Sequence, residues 1–322
     1  MTELSPVQPS QALSDDNIAA LIDTWLAFER AEGASENTLD AYRKGIAVFR
    51  TWLDAHNETP GAVAAETVRQ FKTGLLKTYS AQTVNLRLSA VRSFYRYLVS
   101  HGRMPINPAS EIKGAKRTKS RRHKRDALSN GEVRDVLKTC NGKAPEAIRD
   151  RAMLILFAYC ALREVEVHRA NIGQLKTQGD RLVLEVQGKG RTEADEIVVI
   201  PHSQEAAIRA WLTVRMKIVP NGDGDPLFIS LSNRSHGSRL ALRSIRAMVK
   251  QRYAQADVVG RRKTTHSLRH SAITNAIRRG ATPLQVQQMA RHSSFDTTLG
   301  YYHETARVDN PAEDLIDYAN HT

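Results

Sequence analysis

The sequence predicts a mainly helical protein of two domains, a helical bundle followed by a mixed α/β domain. Apolar residues recur at helical spacing through residues 15–110. Strand-like apolar runs occur only in the second half, where residues 181–187 and 195–200 flank a glycine-rich turn. A basic segment without apolar periodicity, residues 111–126, separates the two parts. With 322 residues, the chain is long enough for two hydrophobic cores.

The first domain is predicted as a succession of four helices, preceded by a disordered tail at residues 1–14. Ser35 has the side chain and the position of an N-cap, and Gly33 ends the helix before it. A glycine and two prolines shortly after the fourth helix stop further helix formation. The predicted helices cover residues 17–32, 36–56, 66–78 and 81–100.

The second domain is predicted to begin at residue 127 and to combine helices with a β-hairpin. Ser129 and Glu132 have the spacing of a capping box, and a helix with few polar residues follows at residues 145–161. The run PLFIS, residues 226–230, is predicted as a further short strand. The remaining predicted helices cover about residues 204–219, 240–255, the first half of 265–303, and 311–319.

The chain has a formal net charge of +13, and nearly half of this excess lies in residues 111–126, which contain eight Lys/Arg and two Asp/Glu. A basic balance favours a polyanionic partner, most often a nucleic acid. The segment is therefore either a solvated linker or a linker that also contacts a phosphate backbone. Arg87 and Arg92, near one side of the fourth helix, are open to the same two interpretations. The candidate DNA-binding residues of the segment are Lys113, Lys116, Arg117, Arg121, Arg122 and Lys124.

The cysteine content and the hydropathy indicate a protein of a reducing compartment. The chain has two cysteines, Cys140 and Cys160, which are too few for a disulfide framework. It lacks the run of about eighteen apolar residues that a transmembrane helix requires. The polar N-terminus has no apolar core of the signal-peptide type. These observations predict a cytoplasmic location.

Residues 265–303 hold a dense set of histidine, arginine and tyrosine side chains. In the first half of this stretch, Leu268, Ile273 and Ile277 fall in one helical arc, and Arg269 lies in the middle of that arc. An arginine is almost never fully buried without a partner, because removing its charge from water costs several kcal/mol. Arg269 therefore either has an internal partner or faces a cleft that holds an anion.

Five short motifs, taken in order, resemble the tyrosine recombinase family of the phage-integrase type, including its Xer-like members. The resemblance extends from about residue 15 to the end of the chain. It implies a helical core-binding domain of the SAM-like type and a mixed α/β catalytic domain at residues 127–322, which together form a C-shaped clamp around DNA. The motifs are ALREVE at residues 161–166, GKG at 188–190, HSLRH at 266–270, RHSS at 291–294 and TTLGYYH at 297–303.

The resemblance assigns each motif residue a role in cleaving a DNA phosphodiester. The family's two arginines match Arg163 and Arg269, whose forked donors would bind the phosphate oxygens. Tyr301 matches the nucleophile, and the adjacent Tyr302 is the alternative. The other matches are Lys189 as the general acid, His266 as an aid to proton transfer from the tyrosine, His292 as a hydrogen-bond donor to the phosphate, and Glu166 and His303 as supporting residues.

The chain departs from the commonest family pattern at three places. Ala161 and Arg291 stand where glycine is usual, and the hairpin continues as RTE at residues 191–193 where a second lysine is common. Glycine can serve a left-handed backbone position. The sequence alone offers no reason for an arginine at residue 291.

The resemblance implies a site-specific DNA recombinase or integrase that acts through a 3′-phosphotyrosine link and a Holliday junction, for a mobile element or for replicon resolution. No metal, ATP or other cofactor is implied. Four protomers would assemble on two DNA sites, with a C-terminal segment of about residues 305–322 exchanged between subunits. Two alternatives remain open: a type IB topoisomerase, which shares the chemistry, and a catalytically idle DNA-binding protein of the same fold.

Overall fold

The structure is a computed structural model, and it describes residues 15–116, 127–188, 193–220, 222–260 and 262–309. The chain divides into two compact units, residues 1–119 and 120–322. The division therefore falls within the basic segment at residues 111–126. Over the described ranges, no helix is both long and apolar enough to cross a lipid bilayer.

The described part of the first unit contains four α-helices, and each begins and ends within two residues of its predicted bounds. Ser35 caps α2 and Ser80 caps α4. Each hydroxyl accepts a hydrogen bond from the backbone N–H three residues later, at 3.2 and 3.3 Å. These caps satisfy donors that the start of a helix leaves unpaired, so they fix where α2 and α4 begin. The helices are α1 (Asp15–Ala31), α2 (Glu36–Ala55), α3 (Ala65–Thr78) and α4 (Ala81–Ser100).

The core of the first unit is built around aromatic side chains. Trp25 is fully buried, stacks on Tyr42 and meets Phe94 edge-on, with ring centroids 5.4 Å apart in both pairs. α2 and α4 cross closely at Gly45, where a Cβ atom would lie 2.7 Å from the Cβ of Ala90. The absence of a side chain at Gly45 therefore permits the close packing of these two helices.

In its described residues, the second unit combines eight α-helices with a three-stranded antiparallel sheet of order β1-β2-β3. The capping box predicted at Ser129 and Glu132 is confirmed at the start of α5. The helices are α5 (Asn130–Lys138), α6 (Pro145–Ala158), α7 (Glu164–Arg169), α8 (His202–Met216), α9 (Leu242–Gln255), α10 (Thr265–Arg278), α11 (Pro283–Ala290) and α12 (Phe295–Asp309). The strands are β1 (Leu175–Gln178), β2 (Arg181–Gln187) and β3 (Ala194–Val199).

Two parts of the predicted secondary structure of this unit were wrong. The predicted strand at residues 226–230 is a loop, because its backbone makes only isolated bridges, from Pro226 to Asn171 and from Ile229 to Arg239. The predicted helix at residues 145–161 stops at Ala158, and the short helix α7 follows it after a turn. The terminal helix predicted at residues 311–319 lies outside the described residues.

The second unit packs around α6, in which Met153 to Phe157 are completely buried. α10 packs against α6 and also contacts α11 and α12. Ser271 of α10 is buried, and its Oγ accepts a hydrogen bond from the backbone N–H of Leu128 at 2.7 Å. These contacts place α10, which carries His266 and Arg269, between the core and the last two helices.

Candidate active site

Two left-handed turns frame the site, one after α6 and one after α11. Ala161 has φ +52°, and Arg291 has φ +52° and ψ +52°. A left-handed backbone costs an L-amino acid about 1–2 kcal/mol per residue, and glycine avoids this cost. Both are positions at which the motif pattern usually has glycine, so the chain adopts these turns with alanine and arginine instead. The first turn redirects the chain so that Arg163 becomes the N-cap of α7.

Arg163 is held by Glu166 and by the backbone of the second turn. Its Nη1 donates to Oε1 of Glu166 at 2.6 Å, and its Nη2 donates to the carbonyl of Arg291 at 2.9 Å. The backbone N–H of Arg163 donates to Oε2 of Glu166 at 2.7 Å. The Glu166 side chain is 1% exposed, whereas that of Arg163 is 23% exposed. A buried carboxylate therefore anchors an arginine that solvent can still reach.

Glu166 is ionised at neutral pH because its partners outweigh the effect of its burial. Burial alone would raise the pKa of Glu166. The charge and hydrogen bond of Arg291, with the backbone N–H and charge of Arg163, lower this pKa below its ordinary value. An ionised carboxylate accepts hydrogen bonds and donates none. Glu166 can thus orient arginines but has no proton to give.

Arg269 has internal partners, which was one of the two possibilities that the sequence left open. The residue is 2% exposed, and its two terminal nitrogens donate to the carbonyls of Ala161 and Ala290. Ala161 forms the turn after α6 and Ala290 is the last residue of α11, so Arg269 joins the two turns through their backbone. Direct contact between Arg269 and a phosphate stays a prediction.

The site carries more positive than negative charge in its buried part. Burial lowers the pKa of Arg269 to about 9, and the nearby charges of Arg163 and Arg291 contribute to this shift. Glu166 and Tyr301 act on the pKa of Arg269 in the opposite direction. These five side chains are therefore close enough to interact electrostatically. Three guanidinium groups lie near two carboxylates, the buried Glu166 and Glu196 at 3.8 Å from Arg291, and this leaves one positive charge that an anion would neutralise.

The Arg291 side chain, which the sequence did not explain, is part of this network. It is 4% exposed, and its Nη2 donates to Oε2 of Glu166 at 2.7 Å and to the carbonyl of Ala161 at 3.1 Å. Its Nη1 donates to the carbonyl of Met289 at 2.7 Å. Its Nε lies 3.8 Å from a carboxylate oxygen of Glu196 in β3. Glu166 is thus shared between two guanidinium groups.

Tyr301 of α12 lies among histidine side chains. Its ring centroid is 5.7 Å from that of His292, with the two planes 16° apart, and 5.2 Å from that of His270. The Nδ1 of His292 lies 2.9 Å from the hydroxyl of Thr298, and this contact fixes the orientation of the imidazole. His266 follows at the far side of His270, with 5.2 Å between their ring centroids. The structure therefore brings the predicted His266, His292 and Tyr301 into one cluster.

His270 is a residue of this cluster that the sequence analysis did not assign to the site. It is buried, and its ring contacts those of both His266 and Tyr301. The signal that could have revealed it is its spacing. Residues four apart lie on the same face of a helix, so His266 and His270 had to be neighbours on α10.

Tyr302 and His303 have different surroundings from Tyr301. The Tyr302 hydroxyl donates to the carbonyl of Ala281, in the loop before α11. His303 is exposed. Tyr301 interacts electrostatically with Arg269 and is 4% exposed. The geometry thus favours Tyr301 over Tyr302 as the tyrosine of the arginine cluster.

The two arginines of α4 that were predicted as DNA-binding residues make internal contacts. Arg92 donates to the carbonyls of Ala109 and Ile112, at 3.2 and 2.9 Å, and so fastens the chain that follows α4. The guanidinium carbon of Arg87 lies 3.6 Å from the ring centroid of Tyr79, which is a cation–π contact. Neither residue belongs to a merely solvated helix face, and their contact with DNA stays a prediction.

The remaining predicted residues fall into two groups. Lys113 and Lys116 are exposed at the end of the first described range. The others lie outside the described residues, and their roles stay predictions. They are Arg117, Arg121, Arg122, Lys124 and Lys189.

A cleft of about 450 Å³ opens beside the arginine cluster. Both Arg163 and His292 line it. Two of the predicted phosphate-binding side chains therefore border one cavity. The lining residues are Arg163, Glu196, Ile197, Gln287, Gln288, Arg291, His292 and Ser293.

Comparison with family models covers most of both units. Residues 126–307 match the phage integrase family, and residues 22–102 match the SAM-like N-terminal domain of phage integrases. The chain belongs to the phage integrase family. The predicted resemblance and the predicted combination of a SAM-like helical domain with a catalytic domain are thereby confirmed.

Named relatives of this phage integrase are tyrosine recombinases. The tyrosine recombinase XerC of Haemophilus ducreyi is 31% identical over 271 residues, which make up 84% of this chain and 84% of that protein. A tyrosine recombinase of Synechococcus elongatus is 31% identical over 327 aligned residues, covering 97% of each chain. The prediction of a tyrosine-type site-specific recombinase is thus confirmed, and neither a topoisomerase nor an idle DNA-binding protein is favoured.

Solved structures show the same fold at low sequence identity. XerH recombinase, in a post-cleavage complex with palindromic difH substrate, superposes with a TM-score of 0.71 at 16% identity, covering 96% of this chain and 90% of that chain. A lambda integrase dimer bound to a COC′ core site gives a TM-score of 0.63 at 14% identity, with 88% and 94% covered. At these low identities, the superpositions show that the fold is shared and show nothing further.

Proposed function

We propose that this phage integrase cleaves DNA by attack of Tyr301 on a phosphodiester and rejoins it through a 3′-phosphotyrosine intermediate. The observation that carries the proposal is the excess charge of the site. Arg163, Arg269 and Arg291 surround one buried carboxylate, with Tyr301 beside them. A phosphodiester carries one negative charge, and guanidinium groups bind its oxygens with directed hydrogen bonds.

Arg163 is the arginine best suited to bind the non-bridging oxygens. It is the most exposed of the three and faces the cleft. Arg269 would support the site from its buried side. It joins the two turns through the carbonyls of Ala161 and Ala290, and it adds positive charge. Negative charge on the phosphate oxygens grows in the transition state. Fixed positive groups stabilise it more in that state than in the bound substrate.

The bond changes follow from these roles. The Tyr301 oxygen attacks phosphorus and gives up its proton to His266, and the tyrosyl O–P bond forms. The bond from phosphorus to the 5′ oxygen breaks, and Lys189 donates the proton that this oxygen requires. His292 donates a hydrogen bond to the phosphate. Attack by a 5′ hydroxyl of another strand reverses these steps, so no external energy source is needed for rejoining.

We propose assembly of four protomers on two DNA sites through a Holliday junction. Support comes from a lambda integrase tetramer bound to a Holliday junction, whose fold matches that of this chain with a TM-score of 0.63 at 14% identity. Tyr301 is 4% exposed, so its side chain must become more accessible when DNA binds. Exchange of residues 305–322, which include the end of α12, between neighbouring subunits would couple assembly to that change. The protein would then work in the cytoplasm, on DNA of the nucleoid.

The test is a DNA duplex that carries the recombination site and a nick beside the cleavage position, so that the cleaved strand cannot be rejoined. The wild-type protein should form a covalent protein–DNA adduct that survives denaturation. Tyr301→Phe should abolish the adduct because it removes the nucleophilic oxygen. Tyr302→Phe is the matched control and should retain the adduct. An adduct that persists in Tyr301→Phe but is lost in Tyr302→Phe would contradict the assignment.

Strand exchange distinguishes recombination from relaxation by a topoisomerase. Two DNA molecules with differently labelled arms should yield recombinant products with the wild-type protein. Relaxation of supercoiled DNA without any recombinant product would instead support the topoisomerase alternative. Binding without an adduct would support the idle DNA-binding alternative.

A further inference from the structure

Arg291 occupies a position where the backbone favours glycine, yet its side chain is almost completely buried. It ends α11 with φ +52°, and its side chain is 4% exposed. A long cationic side chain that leaves such a turn would ordinarily extend into solvent, because burial removes its charge from water. Its burial here therefore requires specific partners, and their identity indicates what the residue does.

The partners of Arg291 connect it to Arg163 by two routes. One route passes through Glu166, which accepts from Arg291 Nη2 at 2.7 Å and from Arg163 Nη1 at 2.6 Å. The other passes through the backbone, since Arg163 Nη2 donates to the carbonyl of Arg291 at 2.9 Å. Arg163 cannot change its orientation without breaking a contact that Arg291 fixes.

A third contact extends the network to the sheet. The Nε of Arg291 lies 3.8 Å from a carboxylate oxygen of Glu196, which is on β3 opposite Val186 of β2. A Cβ atom at Gly188, next to the end of β2, would lie 2.9 Å from the same carboxyl group. Glu196 therefore sits against the base of the β2–β3 hairpin. Arg291 thus lies between a carboxylate of α7 and a carboxylate of the sheet.

We propose that Arg291 is a positioning residue for DNA cleavage: it fixes Glu166, and through it the guanidinium of Arg163, against the scissile phosphate. The proposal rests on the proposed function, in which Arg163 binds the phosphate oxygens. A glycine at this position would form the same turn but could not hold Glu166. In this chain, the side chain at the turn accordingly supplies a support for the phosphate-binding arginine.

The test measures single-turnover formation of the covalent adduct on the nicked duplex. Arg291→Gly suits the left-handed turn and should preserve the fold, but it should slow adduct formation by roughly 10- to 100-fold, as expected when a phosphate-binding group loses its alignment. Arg291→Lys keeps the charge and should recover part of this loss. Asp257→Gly is the matched control, because Asp257 is an exposed residue with φ +53° outside the network and should react at the wild-type rate.

A second substrate separates positioning from a merely structural role. Replacing one non-bridging oxygen of the scissile phosphate by a methyl group removes the charge that Arg163 would bind. The methyl substitution should slow adduct formation by a larger factor in the wild-type protein than in Arg291→Gly. The free-energy effects of the mutation and of the substrate change on adduct formation should therefore be less than additive. Fully additive effects would overturn the inference. Lower thermal stability with a wild-type cleavage rate in both Arg291 variants would overturn it as well.

The outcome for the wild-type protein keeps the two proposals apart. If the wild-type protein forms no adduct, the proposed cleavage chemistry fails, whatever the Arg291 variants do. If the wild-type protein forms an adduct at Tyr301 and Arg291→Gly forms it at the same rate, the cleavage chemistry stands and the role of Arg291 is wrong. DNA binding by gel shift should be equal within about twofold in all variants, since the change concerns alignment and not affinity.

Discussion

Among the described residues of the second unit, two buried carboxylates each lie between two arginines, and they differ in how many arginine hydrogen bonds each carboxylate accepts and in how exposed the arginines are. Asp150 of α6 receives two hydrogen bonds on each oxygen. Arg149 donates to one oxygen at 3.1 and 2.8 Å, and Arg252 donates to the other at 3.1 and 2.7 Å. Both arginine side chains are about 10% exposed. We call these three residues the closed cluster.

Glu166 with Arg163 and Arg291 forms the open cluster. Glu166 accepts one side-chain hydrogen bond from each arginine, and one of its oxygens also accepts from a backbone N–H. Arg163 is 23% exposed. A third arginine, Arg269, donates to two backbone carbonyls and adds its positive charge to the cluster. The same residue types therefore serve different ends in the two clusters. Two buried arginines that each give two hydrogen bonds to one carboxylate hold a fold together, whereas an arginine that solvent can reach, beside a further buried arginine, forms a site for an anion.

The largest expected effect is on stability, from opening the closed cluster. Asp150→Asn leaves Arg149 and Arg252 buried without a balancing charge, so the free energy of unfolding should fall by about 3–5 kcal/mol. Equilibrium unfolding in urea measures this change. A loss below about 1 kcal/mol, the size of a surface ion pair, would show that the closed cluster does not stabilise the fold.

The second expected effect is that removing the charge of Glu166 in the open cluster lowers both stability and the rate of DNA cleavage, and that the loss of stability depends on pH. Glu166→Gln should lower the free energy of unfolding by about 1.5–3 kcal/mol, less than the change at Asp150. It should also slow adduct formation by about 100-fold, because Arg163 loses its anchor. Folding lowers the pKa of Glu166. The ionised carboxylate therefore contributes fully to the free energy of unfolding above the pKa that it has in the unfolded chain, and this contribution is lost as the pH falls through its pKa in the folded protein.

The stability difference between the wild type and Glu166→Gln should therefore stay constant near neutral pH and shrink below about pH 4, which is close to the ordinary pKa of a glutamate. Urea unfolding at a series of pH values measures this difference. Asp257→Asn, at an exposed carboxylate of the same unit, is the control and should change neither stability nor cleavage. A difference that grows on acidification would contradict the direction of the pKa shift.

The smallest expected effect is stabilisation of the open cluster by an anion. Inorganic phosphate at ten times its dissociation constant should raise the free energy of unfolding by about 1.4 kcal/mol, provided that it binds only the folded state. The measurement compares thermal unfolding in phosphate and in sodium chloride at equal ionic strength. Arg163→Gln should abolish the difference, whereas Arg234→Gln, at an exposed arginine of the same unit, should retain it. Equal stabilisation of both variants would place the anion elsewhere.

Local sequence signals predicted most helices because helix starts and ends depend on neighbouring residues. The caps at Ser35 and Ser129 and the terminator Gly33 act within one turn, so they can be read directly from the chain. β1 was missed for the opposite reason. Its residues, LKTQ, are largely polar and mostly exposed, so this edge strand has no apolar alternation to detect. The PLFIS run is apolar because it is buried, not because it pairs as a strand.

The sequence by itself determined the family, the order of the site motifs and the position of Arg269 on the apolar face of α10. Motif spacing needs only the chain, and an arginine in an apolar arc implies a partner. Only the tertiary structure decided what the partners are. Arg269 meets Ala161 across 108 residues and Arg291 meets Glu166 across 125. Contacts between residues so far apart depend on how the helices pack, which no local periodicity encodes, and so the role of Arg291 emerged only from the fold.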